Sequence, residues 1–142
     1  MIALLDANVL IALFDPDHIH NARAQQWMTA ERAAGWATCA LTQNACIRIL
    51  SQSAYSGRIP IRDAARRLQQ ATQAPDHRFW HDSIQGCDPL VFDHDKILTS
   101  RHLTDLYLLA LCVENDGRLV TFDKGIQLQP VLKAAARHLV VL

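Results

Sequence analysis

At 142 residues, half of them hydrophobic, the chain is long enough to bury one sizeable core and needs no second domain, so residues 1–142 are expected to fold as one unit. Fourteen Lys and Arg balance fourteen Asp and Glu, so the overall charge announces neither a nucleic-acid nor a membrane partner, and any polyanion has to be met by a local patch. No run approaches the roughly 18 apolar residues of a membrane span, and the four-residue apolar run before Asp6 lacks the basic leader of a signal peptide, so a soluble cytoplasmic protein is the expectation.

Ile2 to Leu5 is a short apolar run of the kind that forms a buried parallel strand, and Asp6, Ala7 and Asn8 follow it at once. Val9 to Phe14 continues as an apolar turn of helix that stops before Pro16, and a long amphipathic helix is predicted from Asn21 to Ala34, ended by Gly35. Trp36 to Ala40 reads as the second strand. Thr42 is the expected N-cap of a helix through Ser51 that carries Gln43, Asn44 and Arg48 in its first turns. After a turn over Tyr55 to Pro60, Ile61 to Gln73 is predicted helical, with Ile61, Ala65, Leu68 and Ala71 or Thr72 on its inner stripe. The pattern is weakest from Asp76 to Asp95, where a strand is expected near Leu90 to Phe92.

The stretch from Leu103 to Gly125 organises the rest. Leu106 to Val113 has no polar face, so a helix there is buried nearly all round, yet Asp105 stands in its first turn, facing the positive end of the helix. Glu114 to Gly117 stop this helix, and Leu119 to Phe122 form a strand that runs into Asp123. Val131 to Arg137 as helix and His138 to Leu142 as a buried or edge strand complete five strands alternating with helices, an α/β fold on a parallel sheet. Cys39, Cys46, Cys87 and Cys112 show no CxxC spacing and read as reduced structural thiols.

Three acids stand out: Asp6 and Asp123 at the carboxyl ends of strands, the edge where such sheets bind ligands, and Asp105 at a helix start. Clustered carboxylates raise one another's pKa unless a cation joins them. A hard divalent ion such as Mg²⁺ or Mn²⁺ takes oxygen ligands and needs only a few carboxylates plus waters and a substrate phosphate. Spacing alone leaves this reading level with three unrelated capping acids. His18 with His20, and His77 with His81, have zinc-like spacings, but no Cys lies close by, and packing or surface roles are the simpler reading. Arg48, Arg58, Arg62, Arg66 and Arg67 fit either a phosphate-binding groove or a solvated helix face.

Asp6 within LLDANVLIAL, Asp105 within LTDLYLLAL and Asp123 within LVTFDKG resemble, in order and surroundings, the three acidic motifs of the PIN domain. DPDHIHNARAQQW, TQNACIRILSQSAY and PDHRFW are similar to the VapC toxins abundant in mycobacteria, so the resemblance covers essentially the whole chain. It implies a PIN-like three-layer fold with a central, mostly parallel five-stranded sheet flanked by helices. It also implies the toxin of a type II toxin–antitoxin pair: a Mg²⁺- or Mn²⁺-dependent endoribonuclease that acts on RNA, dimerises and is silenced by a small cognate antitoxin. Asp6, Asp105 and Asp123 are the metal ligands that the resemblance implies. Apolar residues in Val9 to Phe14 and Ile47 to Tyr55 look surplus to one small core and add to the expectation of a homodimer.

One position departs from the family pattern. PIN domains usually carry a Glu at the start of the helix after the second strand, and here the matching place reads Thr42-Gln43-Asn44, with Gln43 the best register and Asn44 the alternative. An amide offers an oxygen but no charge, so weaker metal binding is expected. Asn8 is expected either to orient a water or to cap the first helix, and Thr121 to donate a hydrogen bond behind the ligands or to be simply a strand residue. Two other functions compete: a catalytically weak relative that only binds RNA or antitoxin, and a receiver-like phosphoacceptor domain, for which Lys124 is the one foothold.

Overall fold

The computed structural model describes residues 1–142. Five strands, β1 (Ala3–Leu5), β2 (Trp36–Cys39), β3 (His77–Trp80), β4 (Arg118–Thr121) and β5 (Leu139–Val141), form one sheet in the order β3-β2-β1-β4-β5, and every pairing is parallel. Five α-helices accompany it: α1 (Ala7–Phe14), α2 (Asn21–Glu31), α3 (Ala40–Ser51), α4 (Ile61–Thr72) and α5 (Leu103–Glu114).

The alternation of side chains along β1 sorts the core into two layers. Leu4 packs with Leu106 to Cys112 of α5 and with Phe92, Ile126 and Val131. Ala3 and Leu5 face the other way, toward Val9 to Ala12 of α1, Trp27 of α2, Cys46 and Leu50 of α3 and Ala64 of α4. The expected three-layer α/β fold is therefore present, and β1 lies at its centre. The apolar residues Val9 to Ala12 are spent inside this chain, so they supply no surplus surface for a second copy. Cys39, Cys46 and Cys112 are free thiols buried in the same layers, while Cys87 is free and exposed.

Several elements differ from expectation for identifiable reasons. The third strand is His77–Trp80, not Leu90 to Phe92. It is an edge strand with Arg78 and Phe79 exposed, so it lacks an apolar run. Phe92 instead makes an isolated antiparallel bridge to Val131. That bridge also explains why Val131 to Arg137 is not a helix: Leu132 N donates to Val91 O at 3.0 Å, and only a short 3₁₀ turn forms at Ala136–His138. Helix α3 starts two residues before Thr42. Its N-cap is Cys39, and Thr42 Oγ1 accepts from Cys39 N at 3.0 Å. On α4 the inner positions are Ala64 and Leu68, whereas Ile61 is 67% exposed.

Gly117, between α5 and β4, is fixed by close approach. A Cβ there would stand 2.4 Å from Trp80 Cη2 and 2.8 Å from Ile2 O, so only glycine lets β4 lie down beside β1 under the Trp80 indole.

Candidate metal centre

β1 has β2 on one side and β4 on the other, so the chain winds away from β1 in both directions and a crevice opens at the carboxyl ends of β1 and β4. Asp6 and Asp123 follow those two strand ends. Thr121, the last residue of β4 and fully buried, joins them: its Oγ1 donates to Asp6 Oδ2 at 2.7 Å and accepts from Asp123 N at 3.0 Å. Asn8 Nδ2 donates to Asp6 Oδ2 at 2.8 Å, and Asn8 Oδ1 accepts from Phe122 N at 3.2 Å. Asn8 thus ties β1 to β4 instead of capping α1, and Thr121 is more than a strand residue. Asp123 Oδ1 in turn accepts from Gly125 N at 2.7 Å.

Helix α5 brings the third acid. Asp105 lies in its first turn but makes no capping bond to the helix, whose N-cap is His102. His102 Nδ1 lies 3.8 Å from Asp105 Oδ2, buried and without a hydrogen-bond partner. Ligand atoms of His102, Asp105 and Asp123 all lie within 4.8 Å of one another, the one place where three or more His, Cys, Asp or Glu side chains converge in this way. His102 is the residue that the sequence reading misses; the only signal for it was an imidazole three residues before Asp105, one helical turn away. Gly125 stands at the same place, where a Cβ would be 3.1 Å from Asp123 Oδ1 and 3.4 Å from His102 Cε1.

The charges show the cost of this convergence. Burial pushes the Asp105 carboxyl up to about 6, helped by the neighbouring Asp6 and Asp123 carboxylates and only partly offset by His102. Asp6, 7% exposed, is also raised, by burial first and in part by Asp123, against the lowering effect of Thr121, Ala7 and Asn8. Two carboxylates, Asp105 and Asp123, and the His102 imidazole with its unpartnered ring nitrogen form a donor set that suits a hard or borderline divalent cation, with the Asp6 carboxylate beside them, and the imidazole suits Mn²⁺ better than Mg²⁺.

The remaining candidates lie elsewhere. Gln43 Nε2 donates to Thr38 Oγ1 at 2.9 Å, and Thr38 Oγ1 is 2.9 Å from His77 Nε2, so the Gln43 amide belongs to a network between α3, β2 and β3. Asn44 is exposed, and neither residue is hydrogen-bonded to the three acids. The zinc pairings gain no third ligand: His18 and His20 sit 5.7 Å apart with His20 stacked on Phe122, while His81 packs edge-on to Phe79. Among the arginines, Arg67 Nη1 donates to Phe14 O at 3.0 Å and pins α4 to the end of α1.

The PIN domain family profile matches residues 3–130. Ribonuclease VapC44 of Mycobacterium tuberculosis is 44% identical over 142 residues, all of both chains. Ribonuclease VapC39 of the same organism is 39% identical over 127 residues, 89% of this chain and 91% of that one. The crystal structure of Mycobacterium tuberculosis VapC20, described as a sarcin–ricin loop cleaving toxin, superposes with a TM-score of 0.64 over 93% of this chain and 98% of that one, at 15% identity.

Proposed function

The chain belongs to the PIN-domain family and to its VapC ribonucleases, and on that premise we propose that it is the toxin of a type II toxin–antitoxin pair, an endoribonuclease that cuts RNA with Mg²⁺ or Mn²⁺. The observation that carries the reading is the meeting of Asp105 and Asp123, with His102, within 4.8 Å at the crevice between β1 and β4, with Asp6 tied to Asp123 there through Thr121, in a chain alignable over its full length with a ribonuclease. A receiver-like domain does not fit. Its strand order places β1 between β2 and β3, whereas here β1 lies between β2 and β4.

In this proposal Asp6 and Asp105 hold the cation and Asp123 is a further ligand, directly or through water. A bound divalent ion supplies polarisation of the scissile phosphate and activation of water. Thr121 and Asn8 fix the Asp6 carboxylate by donating to its Oδ2, which leaves Oδ1 for the crevice. Gly125 N fixes the Asp123 carboxylate in the same way. Gln43 spends its amide nitrogen on Thr38, so only its carbonyl oxygen is left to offer, and the missing fourth charge weakens ion binding without replacing the reaction. A small cognate antitoxin, a homodimer and the cytoplasm complete the proposal, carried by the family. No helix is long and apolar enough to cross a membrane.

The test is cleavage of single-stranded or loop RNA by the purified chain. Cutting with Mg²⁺ or Mn²⁺ that stops in EDTA supports the reading; cutting that survives EDTA, or none with either ion, contradicts it.

A further inference from the structure

Beside the acids lies a cavity of about 220 Å³ that the proposed reaction does not use. We propose that it receives one nucleobase of the RNA, flanking the scissile phosphate, and so sets where the chain cuts; this rests on the nuclease reading. Its position makes the first argument. Two of its lining residues, His102 and Gly125, also border the acid cluster, and Leu106, the neighbour of Asp105, is a third, so a base held here belongs to a nucleotide adjoining the cleaved bond.

Size and chemistry make the second. Pockets for drug-sized ligands run from about 300 Å³ upward, so this one admits a single flat ring system and excludes a stacked pair. Leu98, Leu106 and Pro130 offer apolar surface to the faces of such a ring. Leu98 is 84% exposed, a large apolar side chain left uncovered at the mouth. The edge of a base needs donors and acceptors, and Thr99 and Gln127 bring both. Thr99 Oγ1 accepts from Arg101 N at 3.3 Å, so its hydroxyl proton is left to donate. Lys96 sits on the same wall, ion-paired with Asp93 at 2.9 Å and more than half exposed, and it supplies the cation for a neighbouring phosphate.

The experiment cuts a pool of randomised single-stranded RNA oligonucleotides with the full chain in Mn²⁺ and sequences the new ends. The wild type is expected to show a nucleotide preference at one position beside the cut. Gln127→Ala and Leu98→Ala, both at exposed positions that the fold does not need, are each expected to lower that preference by about tenfold, the size of one lost hydrogen bond or stacking contact, while preferences at other positions persist. Cutting without any preference beside the cut, or with a preference that both variants keep, overturns the base pocket and leaves the nuclease reading standing. No cutting by the wild type overturns the nuclease reading and the pocket with it.

Discussion

Two buried polar networks join neighbouring strands in this molecule. Thr38, Gln43 and His77 link β2 to β3 and α3, with each short contact at 2.9 Å and every group neutral. Burial holds the His77 imidazole below its ordinary pKa, against a weaker opposing pull from the Thr72 backbone. Asp6, Asn8, Thr121 and Asp123 link β1 to β4 with similar distances, but this network ends in carboxylates that face another acid, and burial first and the neighbouring carboxylates second raise the pKa of Asp6 and Asp105. The first is complete in itself. In the proposed function the second is completed by a cation, and on that reading the difference separates a structural network from a functional one.

The two networks should respond differently to substitution. Asp6→Asn or Asp105→Asn is expected to lower RNA cleavage by about a hundredfold or more, the scale of losing a preorganised charge at a reacting phosphate, while the melting temperature of the ion-free protein holds or rises because repulsion is removed. Thr121→Val should act through Asp6 and cost about 10- to 100-fold in ion affinity or activity, as losses behind a metal ligand do. Thr38→Val in the neutral network should behave oppositely. It strands Gln43 and His77 and is expected to cost about 1–3 kcal/mol of stability, measured by urea unfolding, without changing the affinity for Mn²⁺.

The two networks also titrate with opposite sign. Asp105 has a folded pKa of about 6 against an ordinary 3.8, so the native state binds more protons than the unfolded state between those values; the ion-free protein gains stability as pH falls through about 6, and the penalty is fully present above it. Asp6 adds to this in the same direction. His77 and the buried His138 are lowered from 6.5, chiefly by burial, so their contribution is full above 6.5 and is lost as pH falls through their folded values. Unfolding midpoints of the ion-free wild type should therefore change less between about pH 7 and pH 5 than those of Asp105→Asn, in which only the Asp6 gain opposes the histidine loss. Saturating Mn²⁺ should make the wild type follow the variant.

Much of this was legible because the acids sit at punctuation marks of the chain. Asp6 ends an apolar run, Asp123 ends another, and Asp105 interrupts a helix that is otherwise apolar on all sides. Edge strand β3 was not legible, since an edge strand with two exposed residues in four carries no apolar run. His102 was not, because its role depends on where the turn before α5 stands relative to β4, which only the packed structure decides. Thr42 misled by type: a good capping residue, it sits inside α3 and reaches back to Cys39.

The smallest effect concerns Gln43. Gln43→Glu gives up the donation to Thr38 Oγ1 but restores the family's charge, so divalent-ion affinity should rise several-fold by calorimetry at neutral pH, with Gln43→Ala far milder in activity than Asp6→Asn. Tightening by Asn44→Asp in its place would move the fourth position to Asn44.

The central claim, that the β1–β4 network is completed by a divalent cation, is tested most directly by titrating Mn²⁺ into the ion-free chain and following the free-ion signal by electron paramagnetic resonance. Saturable, stoichiometric uptake by the wild type that disappears in Asp6→Asn and in Asp105→Asn, but survives in Thr38→Val, is the predicted result. Equal uptake by the wild type and both acid variants would contradict it.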